Sequence, residues 1–485
     1  MTAIRALRQW PQRQRDSLPA TLWDANSIAA ATGGTANGEF AISGVEIDSR
    51  DVRPGDLFVA LQGEARDGHE FLEAAFANGA TAALVDRPVP YPHVLVEDTG
   101  VALRALAAAA RERTAARIVG VTGSVGKTGV KEAIFAALDR SSRGAAHRSV
   151  RSYNNHVGVP LSLARMPAGS RFGVFEMGMN HAGEIAALTT QVRPHVALIT
   201  TIAPAHIENL GSIEAIADAK AEIFQGLEPG GTAVIPADIP QSAQLHAAAA
   251  KLGLNIVTFG RSDGADMRVI DIVPAANGGS LVTVQFGEGR LVYSVAEPGE
   301  HWVMNSLAVM ATVHAAGGDM AAAGLALAEM GGLKGRGARH RVAAPGGKAL
   351  VIDESYNANP ASMRATLQQL AQTPAGRRVA VLGSMKELGD FADKFHAALA
   401  QPIREAGLDF VVLVGLEMQA LERELSRTGI QALGGKPEFV HCADAAAATE
   451  RLRDFGLVGG DAVLIKGSNS LGLGKVVDDL IHRDG

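Results

Sequence analysis

The segment TGSVGKT, Thr122 to Thr128, follows a β-branched run, RIVGV (Arg117 to Val121), and precedes a stretch with apolar residues at Val130, Ile134, Ala137 and Leu138. That spacing predicts a strand, a glycine-bearing turn and a helix with one buried face. In such a turn Gly123, Ser124, Val125 and Gly126 can bring backbone N–H groups up to phosphate oxygens, while the start of the helix adds a favourable field. Lys127 would neutralise phosphate charge, and Thr128 could ligate Mg²⁺. The expected chemistry is that of a nucleotide phosphate site. The general phosphate-loop pattern has glycine where this chain has Val121, with Gly120 one residue early, so the expectation rests on the strand-turn-helix setting.

A metal-bound triphosphate needs oxygen or imidazole ligands from elsewhere in the sheet. Glu176 ends the apolar run GVFEMG, where an ionised carboxylate is costly unless it meets a cation, a metal or solvent at the strand end. His206, in TIAPAHIENLGS, follows the apolar run HVALITT by a few residues. Both side chains could emerge at the carboxyl-end crevice where α/β sheets bind ligands. The alternative for His206 is a structural loop residue. Lys220 lies in AIADAKAEIF, a predicted helix, and on spacing alone it reads as a solvent-facing lysine.

Three stretches of chain must position these groups. Up to about residue 114 there are short strand-like runs, DLFVAL (Asp56 to Leu61), ATAALVD (Ala80 to Asp86) and HVLVED (His93 to Asp98), then an alanine-rich helix from Val101 to about Arg113. The second stretch, from about 115 to 338, alternates buried-strand runs with helix-length spacers, which predicts a parallel sheet covered on both faces. The third, from about 339 to 485, restarts that alternation after LKGRGARH with KALVID, RRVAVLG, DFVVLVG and DAVLIKG. The fold class expected is α/β in three domains: residues 1–114, a central phosphate-loop domain at 115–338, and a second doubly wound domain at 339–485.

Composition narrows the partners. The chain has 485 residues, 47 % hydrophobic and 20 % charged, with a formal net charge of −6. That balance suits a folded globular protein and disfavours a surface built for nucleic-acid phosphates. The single cysteine, Cys442, excludes an intrachain disulfide or a cysteine-based zinc framework and reads as a small buried apolar residue. The opening MTAIRALRQWPQRQRDSLPA has arginines but no apolar core of signal-peptide length, and no stretch reaches about 18 apolar residues. A cytoplasmic protein without membrane insertion is expected.

Several longer motifs, TGSVGKT, EMGMNHAGEI, APAHIENLGS, AKAEIF, DESYNANPASM and LGSMKELG, occur in the order seen in the Mur ligases, which the chain resembles from about residue 20 onward. The resemblance implies a UDP-binding domain, a central ATPase and a C-terminal Rossmann-like domain that binds the amine substrate. It is strongest toward the members that join D-alanyl-D-alanine to a UDP-N-acetylmuramoyl-tripeptide in peptidoglycan synthesis. It implies Ser49 and Arg50 beside the UDP-sugar, with Asn154 and Asn155, in YNNHVGVP, facing the muramoyl substrate. Lys127 and the loop amides would hold ATP, and Thr128 and Glu176 would bind a first Mg²⁺. His206 would bind a second Mg²⁺ beside Lys220, which matches a carbamylated lysine; Lys127, His206 and Lys220 form the expected catalytic set. Asn305 matches an adenine-side asparagine, Arg339 lies at a domain junction, Asp353 looks like the ribose-side acid, and Lys386 matches a lysine near the phosphates. Two departures stand out: His301-Trp302 replaces a frequent His-Asn pair, and Val125 and Gly129 stand where polar residues are common. A monomer is expected.

Other readings share part of this pattern. Ligases of the same engine that add other amines, a small-molecule kinase needing only the phosphate loop, and a non-catalytic nucleotide-binding module all remain open on the sequence. No DNPR-like motif, expected for addition of a diamino acid, is present.

Overall fold

The structure, a computed structural model, describes residues 21–63, 66–275, 278–428 and 438–482. The opening twenty residues, where no signal peptide is read, lie outside them. Residues 1–115 together with 156–170 form one unit, and residues 116–155 together with 171–485 form the other.

In the first unit the short apolar runs pair into a five-stranded sheet, ordered Thr35–Asn37, His93–Leu95, Ala82–Val85, Asp56–Val59 and Gly44–Glu46. All neighbours are parallel except the first pair. The alanine-rich helix runs Thr99–Glu112, and Asp98 caps it by accepting from the Val101 N–H. The helix Gly158–Ala164 belongs to this unit although it follows the phosphate-loop helix in sequence. Trp23 shows why it stays: its indole N–H donates to the Ala164 carbonyl at 2.9 Å. The Arg113 guanidinium lies 3.4 Å over the Trp23 ring and donates to the Met166 carbonyl.

The second unit contains a nine-stranded sheet and a six-stranded sheet. At the centre of the larger one, Arg117–Thr122 lies between Phe172–Glu176 and Val196–Ile199, parallel to both. Val119, Val121, Val174 and Leu198 are fully buried with Val130, Ile134, Ala137 and Leu138 of the helix Lys127–Ser142. Each such side chain contributes roughly 1.5–3 kcal/mol of hydrophobic stabilisation. The expected all-parallel sheet needs correction. Met267–Pro274, Ser280–Phe286 and Gly289–Val295 pair antiparallel with one another. The last two are joined through Gly287 and Glu288, with Gly287 at φ 56°, and a two-residue turn opening on glycine suits the twist of a hairpin.

The six-stranded sheet takes the four apolar runs read from the sequence as Gly347–Glu354, Ala462–Lys466, Arg378–Gly383 and Phe410–Val414, all parallel, then Glu438–Cys442. Ala338–Ala344 adds an antiparallel edge. Cys442 is buried in this sheet's core. Among the described residues no helix is long and apolar enough to cross a membrane.

Candidate active site

The strand Arg117–Thr122 delivers the loop 123–126 directly to the N-terminus of Lys127–Ser142. Gly123 and Gly126 have φ 144° and 84°, which side chains adopt only with strain. Gly123 is also pressed against its neighbour, since a Cβ there would lie 2.0 Å from Thr200 Oγ1. The loop is pinned to the end of the adjacent strand: the Ser124 N–H donates to the Thr201 carbonyl, Ser124 Oγ donates to the Ala203 carbonyl at 3.0 Å, and Thr200 Oγ1 donates to the Val125 carbonyl at 2.6 Å. Lys127 Nζ folds back to the Gly123 carbonyl at 2.7 Å. Burial lowers its pKa, partly countered by the Glu176 charge.

Around this loop several buried polar atoms lack partners. Thr128 Oγ1, Glu176 Oε2 and Lys220 Nζ have none. His206 Nδ1 makes no aligned hydrogen bond either, although Glu387 Oε2 lies 2.5 Å away in close ionic contact. Buried polar atoms are normally satisfied, so three residues with unmet capacity beside one loop need a reason. Glu176 is 1 % exposed, and its other oxygen accepts from Asn154 Nδ2 at 2.7 Å. Lys220 is 0 % exposed, not solvent-facing as its spacing alone suggested. Burial first, and then the Lys127 charge, holds its amine well below the usual lysine range. The segment bearing Asn154 is itself anchored by Lys131, whose buried Nζ donates to the Ser149 and Arg151 carbonyls at 3.1 and 2.5 Å and lies 2.9 Å from Glu132 Oε1.

The loop, Thr128, Glu176 and His206 open on a cavity of about 750 Å³ lined by both sheets of this unit, which Lys220 does not line. The nine-stranded side supplies the loop 124–129, Asn154, Glu176, His206 and Asn305. The six-stranded side supplies Glu354, Tyr356 and Asn357, and Lys466 stands at the end of Ala462–Lys466. Lys466 is buried, donates to the Asn357 carbonyl at 2.8 Å and lies 3.4 Å from Glu354. Arg336, also lining, stacks over Tyr356 at 4.2 Å. The sequence reading did not single out Arg336, Glu354, Tyr356 or Lys466. For Glu354, Tyr356 and Lys466 the legible signal was position at or near the carboxyl ends of parallel strands; Arg336 precedes the antiparallel edge strand and carried no such signal.

Other expected site residues lie elsewhere. Asp353 spends its carboxylate on the Gly335 N–H at 2.7 Å and on the Ser355 N–H and hydroxyl, while its neighbour Glu354 lines the cavity. Lys386 Nζ pairs with Glu417, and Arg339 lies on Ala338–Ala344 within the field of Glu297; neither lines the cavity. Asn155 is exposed beside Asn154. Ser49 and Arg50 belong to the first unit: the Ser49 carbonyl accepts from Asn78, and Arg50 makes a two-point contact with Asp48 at 2.9 and 2.6 Å, its side chain otherwise in solvent.

The sequence matches the Mur ligase family catalytic domain over residues 41–122, the Mur ligase middle domain over 121–313 and the Mur ligase glutamate ligase domain over 339–469. It is 35 % identical over 444 residues to the UDP-N-acetylmuramoyl-tripeptide--D-alanyl-D-alanine ligase of Escherichia coli, covering 90 % of this chain and 94 % of that one. The chain belongs to the Mur ligase family. Among other Mur ligases, the same-named enzyme of Synechocystis is 36 % identical over 92 % of this chain and 93 % of its own. A solved MurF structure from Acinetobacter baumannii superposes with a TM-score of 0.79 at 31 % identity, covering 95 % of this chain and 99 % of that one. The MurF ligase of Thermotoga maritima, solved in complex with ADP, gives 0.71 at 26 % identity over 90 % and 96 %. As in the sequence reading, this Mur ligase is an α/β protein whose sheets follow the family's three domains.

Proposed function

We propose that this chain is an ATP-dependent Mur ligase that joins D-alanyl-D-alanine to UDP-N-acetylmuramoyl-tripeptide in peptidoglycan precursor synthesis. The observation that carries the reading is the set of unpartnered buried polar atoms on Thr128, Glu176 and Lys220, together with His206, beside a glycine loop at a helix N-terminus. Full-length similarity to ligases of that name supports the substrates, and the ADP held by the Thermotoga relative supports the nucleotide.

Among the described residues no three His, Cys, Asp or Glu converge as a metal cage. That fits Mg²⁺, which is usually held by one or two carboxylates together with substrate phosphates and water. Thr128 and Glu176 would hold one ion, and His206 with carbamylated Lys220 a second. Bound there, Mg²⁺ would neutralise charge on the triphosphate and the leaving oxygen.

The protein's own part is positioning. Lys127 and the loop amides hold the β- and γ-phosphates, and Asn305 lies along the loop on the nucleoside side. The terminal carboxylate of the tripeptide attacks the γ-phosphorus, giving an acyl phosphate and ADP. The dipeptide amine then attacks the acyl carbonyl, and phosphate leaves. The six-stranded domain presents the dipeptide, with Lys466 and Arg336 supplying cations and Glu354 an anion at that wall. Ser49 and Arg50 take the UDP moiety, and Asn154 with Asn155 the muramoyl end. One chain carries every site, so a monomer suffices, and ATP and a UDP-linked precursor place the reaction in the cytoplasm.

The test supplies purified protein with ATP, Mg²⁺, UDP-muramoyl-tripeptide and a panel of dipeptides, following phosphate and peptide product. Phosphate release that depends on D-alanyl-D-alanine, with matching product, is expected. Release driven by an alcohol acceptor, or nucleotide binding with no turnover under any acceptor, would overturn it.

A further inference from the structure

Gly129, just past the phosphate loop, and Trp302, on a separate helix, touch each other. Gly129, the third residue of Lys127–Ser142, has Trp302 directly above it: a Cβ at Gly129 would lie 3.0 Å from Cη2 and 3.1 Å from Cζ2 of the indole. Glycine is among the weakest helix formers, so its presence in a first turn calls for a packing reason. The indole supplies it. Trp302 is 9 % exposed, and what it leaves open lines the same cavity as the phosphate loop.

Trp302 does not stand alone there. It belongs to the helix Glu300–Ala315, which also brings His301 and Asn305 to the cavity. His301 has its ring centroid 6.4 Å from that of Trp302, and burial holds its pKa down at about 4, so the ring is neutral at pH 7. Asn305 reaches Gly126, whose Cβ would lie 3.1 Å from its Oδ1. Beyond them the cavity wall carries the apolar Pro236, Ile239 and Phe259 beside the charged Asp238, Arg261 and Glu300. A space that adjoins phosphate-binding amides and has apolar and aromatic walls takes a flat heteroaromatic ring.

We propose that Trp302, seated on Gly129, is the wall against which this chain packs the base of its nucleotide, and that the pair replaces edge reading by stacking at this position. The inference rests on the nucleotide reading above. An asparagine at 302 would offer a donor and an acceptor, and could therefore tell adenine from guanine. An indole face offers area that any purine satisfies. Purine choice is then left to Asn305 and His301, and the chain discriminates ATP from GTP less than one with asparagine at 302.

Calorimetric titration of the full chain with the non-hydrolysable analogues of ATP and GTP, in Mg²⁺, tests this without requiring turnover. Trp302→Ala should weaken both analogues by about tenfold or more, the scale of losing one aromatic stack, while UDP-muramoyl-tripeptide binding changes less than twofold. Trp302→Phe should restore most of the loss. Gly129→Ser alone should weaken both analogues by displacing the ring. Combined with Trp302→Asn it should recover ATP-analogue affinity and widen the preference over the GTP analogue. Circular dichroism and melting temperature confirm folding in each variant. Trp302→Ala that is folded and binds both analogues as wild type does, or Gly129→Ser whose effect is the same with and without Trp302, would overturn the proposal. Wild-type binding without ligase turnover would count against the function above and leave this comparison intact.

Discussion

His206 Nδ1 lies 2.5 Å from Glu387 Oε2, and both residues have left-handed backbones, at φ 60° and 63°. The contact joins the loop after Val196–Ile199 to the loop after Arg378–Gly383, where Gly389 packs so closely on Glu208 that a Cβ would lie 2.9 Å from its Cγ. Two strained non-glycine residues, each at a cost on the order of 1–3 kcal/mol, face each other across the cavity's two halves.

The contact holds His206 in place from the six-stranded side. Glu387→Ala should therefore lower kcat about tenfold, equivalent to about 1.4 kcal/mol of barrier, with little change in the KM for the UDP substrate. Unchanged kcat would make the contact incidental.

Lys127→Ala should reduce product formation at least a hundredfold while circular dichroism stays that of the wild type, because its ammonium is folded onto the loop itself. Near-normal turnover would remove Lys127 from the phosphate site.

Lys220 is predicted to be carbamylated. Burial and the Lys127 charge both favour the neutral amine, the form that reacts with CO₂, and the product is an anionic oxygen donor of the kind Mg²⁺ prefers. Protein equilibrated with ¹³C-bicarbonate should give a carbamate carbon resonance that Lys220→Ala lacks. The variant should lose most activity and regain part of it in formate or acetate. Full activity in Lys220→Ala would contradict the assignment.

Glu297 is buried, and burial, with the Glu354 charge adding to it, pushes its carboxyl up to about 7 against the pull of Arg339. The folded chain thus keeps a proton that the unfolded chain releases near pH 4.5. Stability must fall as pH rises from there through 7, by up to about 3 kcal/mol from this group. Glu297→Gln cannot ionise, so it should lose less melting temperature than wild type between pH 5 and pH 8. Parallel slopes for the two proteins would exclude this assignment.

Much of this was legible in the residues. The apolar runs became strands nearly end for end, and TGSVGKT sits where its flanks demanded, because local pattern and tertiary burial agree there. The antiparallel hairpin was missed because the sequence reading extended a helix-spaced pattern over a region where Ser280–Phe286 and Gly289–Val295 are joined by only two residues. Lys220 carried a usable signal: it stands four residues after Ile216 and three after Ala217, both on the helix's buried face, yet a charged side chain is normally assigned to solvent. Glu354 and Lys466 converge only once strands 112 residues apart in sequence lie side by side, and no local pattern encodes that register. Helix Gly158–Ala164 could not be placed because its packing partner, Thr99–Glu112, lies far upstream.

Lys131 ties the phosphate-loop helix to the carbonyls of Ser149 and Arg151, and Asn154, three residues on, reaches Glu176. Under the proposed function, nucleotide on one side and the muramoyl chain on the other would bias one shared segment. Linkage then requires reciprocity: whatever factor ATP adds to the affinity for the UDP-linked substrate, that substrate returns to ATP. Titrating each ligand with the other saturating should give one common ratio above unity, and Lys131→Met should bring it toward one.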